Sequence, residues 1–343
     1  MCMNTYLFRV DASEEIGMGH LIRSLSLASE IKKQSFDIQN VFLTSEKYAF
    51  EIIQEAGYDV ILNKQRLDEE EFLKENMFRG GLLFIDKLYD YSPGFIADIK
   101  EKISVVMFHN LCEGTYYADA FILPSAHSPD EVLNDARWNQ NKVNFYHGFD
   151  YVILNEKIRT SRNLVHSASG HTKIVITTGG SDPRGVLFTL FDWLIKINAN
   201  SVEFTFLVGD LFMHKQKLEA LMLNLPASFK VVPYNVEEFF DASIVISTFG
   251  VTSYEMLYLG IPLISVAHAE TNAKAANLLY KRTQAFIDHG LIDQADQEKF
   301  NNDLLQLIAS EEQRTMLAAK SLTLLDGKGI QRGAQILMEQ FFK

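Results

Sequence analysis

Short apolar runs and amphipathic stretches alternate along most of this chain. Residues 6–10, 41–44, 81–86, 104–108 and 120–123 are rich in apolar side chains with no polar alternation. Runs of that kind predict strands buried on both faces, as in a parallel sheet covered by helices. Residues 20–34, 49–56, 68–76 and 95–102 fall between several of them and predict helices. In the first of these, Leu21, Leu25, Leu27, Ala28 and Ile31 form an apolar stripe along one side. Strand and helix in alternation imply βαβ units with right-handed crossovers.

The pattern stops at residues 161–172, which are polar and lack periodicity, and then restarts. Residues 173–178, 203–208, 228–232, 244–247 and 263–266 predict a second set of strands. Residues 185–197, 215–223, 253–259 and 271–281 predict the helices between them. The tail, 293–343, reads as helical with one break at Asp326-Gly327-Lys328-Gly329. The expected organisation is therefore α/β: a Rossmann-like domain over 1–160, a linker, and a second Rossmann-like domain over 173–343 that ends in helices. Two such halves are the layout of the GT-B architecture, with the carboxyl ends of both parallel sheets facing a central cleft, where ligands of open α/β sheets bind.

Composition narrows the chemistry. The 343 residues suit about two domains, and 47% hydrophobic with 22% charged residues is the balance of a folded enzyme. The 44 Asp and Glu against 32 Lys and Arg leave a net charge of −12. A surface that negative repels phosphate backbones, which argues against nucleic acid as a partner. Two cysteines, Cys2 and Cys112, build neither a disulfide framework nor a cysteine zinc site and fit a reducing, cytoplasmic setting. The nine histidines show no ligand spacing, so no metal or other cofactor is expected. No run approaches the ~20 apolar residues that span a bilayer. Oligomeric state is not legible in the sequence.

Three segments carry candidate chemistry, each directly after an expected strand. The first runs from Arg9 through Asp11, Gly17, Gly19 and His20 to Arg23. Its glycines let backbone amides approach an anion, and His20 stands at the start of a helix, where the helix dipole favours a neutral imidazole able to accept a proton. A tight turn and a capped helix are the other reading, and the third glycine of a dinucleotide fingerprint is absent. The second, Thr177-Thr178-Gly179-Gly180-Ser181-Asp182-Pro183, is suited to a nest of amides and a hydroxyl for a diphosphate, although Asp182 and Pro183 equally suit a helix start. The third contains Gly250, Thr252, Ser253 and Glu255 before Gly260-Ile261-Pro262. There Glu255 serves either as a bidentate acceptor for two ribose hydroxyls or as the closing residue of a capping box. Asn272 and His268 follow the next strand, and His109 and Asn110 follow an earlier one.

Taken in order, the blocks Arg9-Val-Asp11-Ala-Ser13…Ile16-Gly17-Met-Gly19-His20…Arg23, Gly179-Gly180-Ser181-Asp182-Pro183 and Gly250…Glu255…Gly260-Ile-Pro262 resemble the UDP-sugar hydrolases of pseudaminic acid biosynthesis and the related spore-coat polysaccharide biosynthesis proteins. The third block is shared with GT-B glycosyltransferases at large, including the MurG-like type. The resemblance implies a GT-B fold with UDP held mostly by the C-terminal domain, and His20 as the catalytic base. It also implies metal-free hydrolysis of UDP-2,4-diacetamido-2,4,6-trideoxy-β-L-altrose, with Asp11, Gly17, Gly19, Arg23, Gly179, Gly180, Ser181, Asp182, Gly250, Thr252, Ser253, Glu255 and Asn272 at the substrate. Met107-Phe108-His109-Asn110 stands where the family carries Ile-Asp-Asp, and Thr271-Asn272 where it carries Asn-Gln. A glycosyltransferase on the same scaffold is the alternative, and a non-catalytic nucleotide-sugar binder is a third class. A lipid-linked acceptor calls for an apolar or basic surface cluster on the first domain, and none is evident in the sequence.

Overall fold

The structure is a computed structural model and describes residues 4–35, 37–76, 81–165, 172–197 and 202–341. Its strands form two parallel sheets. The first holds β1 (Asn4–Val10), β2 (Ile38–Thr44), β3 (Asp59–Leu62), β4 (Leu82–Asp86), β5 (Ser104–Phe108), β6 (Ala120–Leu123) and β7 (Asn144–His147) in the order β3-β2-β1-β4-β5-β6-β7. The second holds β8 (Thr172–Thr177), β9 (Val202–Val208), β10 (Phe229–Pro233), β11 (Ile244–Thr248), β12 (Leu263–Ala267) and β13 (Ile287–Leu291) in the order β10-β9-β8-β11-β12-β13. In both sheets the order reverses beside the first strand, the topology at which α/β proteins bind ligands.

The inner strands carry the densest apolar runs: every residue of β4, β6, β11 and β12 is buried. The sequence pattern missed β3, β7 and β13. All three are edge strands and only partly buried. An edge strand meets water along one side, so segments such as Asn144-Phe145-Tyr146-His147 lose the continuous apolar signature of a central one. The tail also carries a second interruption, at Ser310. It closes the helix Gln297–Ala309, and its hydroxyl accepts the Gln313 amide to cap the helix Glu311–Ser321.

The chain divides into two compact units, but not where the polar stretch suggested. Unit 1 runs through Ile153 and resumes at Gly327; unit 2 is Leu154–Asp326. Of the expected linker, residues 166–171 lie outside the described residues. The segment ahead of it belongs to unit 2. There Tyr258 Oη donates to the Arg159 carbonyl at 3.0 Å, and the Arg162 guanidinium donates to the Leu322 carbonyl at 2.6 Å. The last helix, Gly329–Phe341, belongs to unit 1 rather than to the domain that precedes it in sequence. Ile330, Ala334, Ile336 and Leu337 join the core of Tyr6, Phe8, Leu27 and Phe84. The Asp326–Gly329 break is the return crossing: Gly327 takes a left-handed φ of 74°, and Gly329 lies so close to Val152 that a Cβ would stand 2.1 Å from its carbonyl oxygen.

Leu337 is fully buried in that core, and its truncation leaves a cavity that the surrounding sheet cannot close. Leu337→Ala is expected to lower the stability of unit 1 by about 2–5 kcal/mol in urea unfolding. A loss below ~1 kcal/mol would show that the last helix is dispensable to this core.

Candidate active site

In unit 1 the loop after β1 is a small closed turn. Gly17 donates to the Ser13 carbonyl at 2.7 Å, Ile16 donates to the Ser13 hydroxyl at 3.3 Å, and Gly17 has a φ of 79° that favours glycine. The helix Gly19–Gln34 then starts with no side-chain cap and no acidic residue in its first turn. Its first amides are therefore not occupied by a competing carboxylate. His20 is its second residue and Arg23 lies one turn on, so both side chains share a helix face.

That face meets Asp86, the last residue of β4, paired in register with Val10 of β1 and fully buried. His20 Nδ1 lies 2.8 Å from Asp86 Oδ1 and 3.2 Å from its carbonyl oxygen. The Arg23 guanidinium donates to both carboxylate oxygens, and Ser24 Oγ donates to Oδ2 at 3.4 Å. Burial opposes ionisation of Asp86, but Arg23 and His20 outweigh it and hold the carboxyl well below the usual range. Arg23 Nη2, which can only donate, is also 2.9 Å from His20 Nδ1, but it is engaged by Asp86 Oδ1. Both Asp86 oxygens, side-chain and main-chain, are acceptors and favour a proton on Nδ1, an arrangement in which Nε2 is the ring nitrogen left for a ligand. The geometry thus fixes the orientation of the His20 ring. His20 is 15% exposed, enough to meet a ligand.

Beside it, β5 ends and His109 follows in a left-handed conformation, φ 63°. Its ring centroid is 6.3 Å from that of His20. Its Nδ1 is buried without a hydrogen-bond partner. Burial first, then the Arg23 charge, push its pKa down to about 3, so the ring is neutral. Asn110 points elsewhere: its amide donates to the Tyr89 carbonyl at 2.7 Å.

Asp11, expected at the substrate, is committed inside the protein. Its carboxylate receives Arg9 at 2.6 and 2.8 Å, Lys87 at 2.7 Å, Thr44 Oγ1 at 2.9 Å and the Ser45 amide at 2.7 Å. Arg9 is fully buried and also binds Glu69 through two donors, at 2.8 and 2.7 Å. Burial works against ionising Asp11, but Arg9 and Lys87 hold it well below the usual carboxylate range. Arg9, Lys87, Asp11 and Glu69 form a charge-balanced network that fixes the ends of β1, β2 and β4 together. Arg23 likewise is taken by Asp86 rather than presented to a ligand.

In unit 2 the loop after β8 splits between structure and open surface. Asp182, at a φ of 45°, accepts the Val186 and Leu187 amides at 2.9 Å each and so caps the helix Val186–Leu194. Both carboxylate oxygens thus serve the start of that helix, whereas the sequence reading put Asp182 at the substrate. Ser181 is buried and its carbonyl accepts the Met213 amide at 3.0 Å. Gly179 and Gly180 have open space where a Cβ would stand, and Gly179 has a φ of 84°. Gly209 lies so close that its own Cβ would come within 2.4 Å of the Gly180 carbonyl oxygen.

The loop after β11 divides similarly. Gly250 is extended, with a φ of 177°, and precedes the helix Val251–Leu259, whose first turn carries no acid. Ser253 is fully buried; its hydroxyl accepts the Gly250 amide at 3.3 Å and lies 3.4 Å from the Ser247 hydroxyl. Ser253 therefore closes the cap, not Glu255, which is the fifth helical residue. Thr252 stays partly exposed in the first turn. Glu255 is buried and accepts one long bond, 3.4 Å, from the Asn155 amide; burial raises its pKa to about 7. Asn272 holds the loop from behind, donating to the Phe249 carbonyl at 3.0 Å.

Sequence reading missed Asp86. The signal was present in Phe84-Ile85-Asp86, an acid closing an otherwise apolar strand, but nothing local paired it with His20. Among the described residues no group of three or more His, Cys, Asp or Glu side chains is placed to hold a metal ion, and no helix is long and apolar enough to cross a membrane.

No family model matches the chain. It is 29% identical over 268 residues to an uncharacterised protein of Methanocaldococcus jannaschii, covering 74% of this chain and 54% of that protein, so it spans about half of that relative's length. It is 24% identical over 348 residues to the spore coat polysaccharide biosynthesis protein SpsG of Bacillus subtilis, covering 96% of this chain and 97% of that one. Among solved structures it superposes on MurG of Acinetobacter baumannii with a TM-score of 0.63 at 12% identity, over 98% of this chain and 99% of that one. It also superposes on HepE of Anabaena, solved with UDP-glucose, with a TM-score of 0.61 at 13% identity over the same shares. The fold is GT-B.

Glu255 supplies a test of the unit 2 geometry. Folded, it takes up its proton near pH 7; unfolded, near the ordinary 4.5. The folded state therefore holds more protons across that window, and stability falls as pH rises through it. Glu255→Gln removes the effect and is expected to raise stability by roughly 1–3 kcal/mol at pH 8, with the gain vanishing toward pH 4.5. Equal gains at both ends in urea titrations would show that the carboxyl is not buried as described.

Proposed function

We propose that this protein is an enzyme of polysaccharide biosynthesis that acts on a UDP-sugar, and that it hydrolyses the bond between the sugar and UDP. The observation that carries the reading is the His20–Asp86 pair. A neutral imidazole fixed through Nδ1 on a buried carboxylate leaves Nε2 as a directed proton acceptor. Full-length similarity to SpsG supports the pathway class, and HepE, solved with UDP-glucose, supports the ligand class.

In the proposed reaction His20 Nε2 takes a proton from water as the water oxygen bonds to the anomeric carbon. The bond from that carbon to the diphosphate oxygen breaks, and UDP leaves with the electron pair. The diphosphate is stable as an anion and needs less acid help than an alkoxide. Direct displacement inverts the anomeric configuration. The turn at Gly179-Gly180, where the space beside the backbone is open, and the first helical turn around Thr252 are the proposed diphosphate cradle, and Glu255 the acceptor for ribose hydroxyls. Asp86 is not consumed; it sets the tautomer and steadies the imidazolium that forms. The proposed sugar class is an acetamido-deoxy sugar such as 2,4-diacetamido-2,4,6-trideoxy-β-L-altrose.

One observation favours a second reading. Ile16, Ile22, Leu88 and Leu111, in or beside the loops that carry His20, Asp86 and His109, are 40–63% exposed. Such a group beside the site differs from the expectation of no apolar or basic surface cluster on the first domain, and suits a transferase whose acceptor has an apolar part. In that case His20 would deprotonate an acceptor hydroxyl instead of water.

Incubation with UDP-sugars and no acceptor separates the two: steady UDP release with free sugar of inverted configuration is expected. UDP release that requires an added acceptor would overturn hydrolysis in favour of transfer. His20→Ala is expected to keep UDP affinity in calorimetry while turnover falls by roughly 10²–10⁴. Unchanged turnover would remove His20 from the chemistry.

A further inference from the structure

His109 is the one group of the unit 1 site that the reading above leaves without a task, and three features set it apart. It is a non-glycine residue held left-handed, φ 63°, where the backbone is strained unless the surroundings demand it. Its amide is tied to the Ile122 carbonyl at 2.9 Å, so the strained conformation is fixed by the sheet. Its Nδ1 is buried with no partner, although the ring lies 6.3 Å from His20, centroid to centroid. An imidazole kept in such a position contributes nothing to packing that an apolar ring would not.

We propose that His109 positions the attacking water, donating a hydrogen bond from Nε2–H to the same oxygen that His20 deprotonates. A buried N–H left without an acceptor is costlier than an unfilled lone pair, so the orphan Nδ1 is the unprotonated nitrogen and Nε2 bears the hydrogen. Rings 6.3 Å apart leave room for one oxygen bonded to both, at about 2.8 Å from each nitrogen. A water held there gives one hydrogen to His20, accepts one from His109 and keeps a lone pair for the anomeric carbon. The two imidazoles play opposite parts because their partners differ: Asp86 fixes the proton of His20 on Nδ1, and nothing fixes one on Nδ1 of His109. The low pKa of His109 agrees, since burial and Arg23 keep it a neutral donor that does not compete for the proton.

This inference rests on His20 being the base, so the test separates the two. Histidine-selective ¹⁵N NMR on the free protein, assigned with His109→Gly and His20→Ala, is expected to show His109 as the neutral Nε2–H tautomer from pH 8 down to 5. Finding the Nδ1–H tautomer, or protonation in the ordinary histidine range, overturns the proposal whatever the substrate proves to be. Glycine suits the left-handed backbone, so His109→Gly is expected to fold. With UDP-2,4-diacetamido-2,4,6-trideoxy-β-L-altrose its kcat should fall 10- to 100-fold while KM changes less than threefold. Added imidazole should restore part of the loss, which a merely structural role would not allow. Normal kcat in His109→Gly beside an inactive His20→Ala would overturn this proposal alone. An active His20→Ala would overturn the catalytic reading instead, with the NMR result still deciding the tautomer.

Discussion

The organisation of unit 1 turns on one buried carboxylate. Asp86 receives the Arg23 guanidinium on both oxygens and His20 Nδ1 on one of them, at a point where no solvent reaches it. A charge taken out of water is retained only when paired and hydrogen-bonded, and removing either partner leaves the other uncompensated. The pairing therefore locks the first turn of the helix Gly19–Gln34 onto the end of β4. In doing so it selects the tautomer of His20, which is a chemical consequence of a packing constraint. The guanidinium of Arg23 stacks over Phe108, 5.1 Å from its centroid, so the same contact ties in the end of β5 as well.

A second ionic cluster supports the first from behind. Arg9, Asp11, Glu69 and Lys87 cancel one another's charge, and Tyr91 adds a bond to Glu69 at 2.8 Å. Such a network contributes little net stability compared with an apolar core, but it leaves the loop after β1 only one way to run. Asp11 thereby ties the loop after β1 to the ends of β2 and β4. Unit 2 shows the same economy in different groups. Asp182, Ser253 and Asn272 hold backbone groups of the loops after β8 and β11, while Gly179 and Gly180 have open space where a Cβ would stand. The polar side chains there shape the loops.

Much of this was legible in the sequence. The central strands were read because burial on both faces demands unbroken apolar runs, and the three glycine-bearing loops because they follow those runs directly. His20, which the structure sets against Asp86, was singled out from its place after Gly17 and Gly19. The edge strands β3, β7 and β13 were not, since exposure on one side removes the pattern that betrays a strand. The ending of the chain was misassigned for a related reason: an amphipathic helix declares that it has a buried face, not which sheet covers it. Gly327 and Gly329 marked the crossing only as a break.

Taken alone, the sequence determined two parallel α/β units and the positions of the loops that could bear chemistry, because periodicity and glycine placement are properties of neighbouring residues. Only the tertiary structure decided which residues of those loops are free to act. Asp11, Arg23, Asp182 and Ser253 are polar residues in the right segments, yet each is engaged by a partner inside its own unit. Asp86 and His109, from strands 66 and 89 positions beyond His20, are brought beside it by sheet order. Hydrogen-bond partners separated by that much chain leave no local trace, so the difference between a cap, a counter-ion and a base is written in the fold.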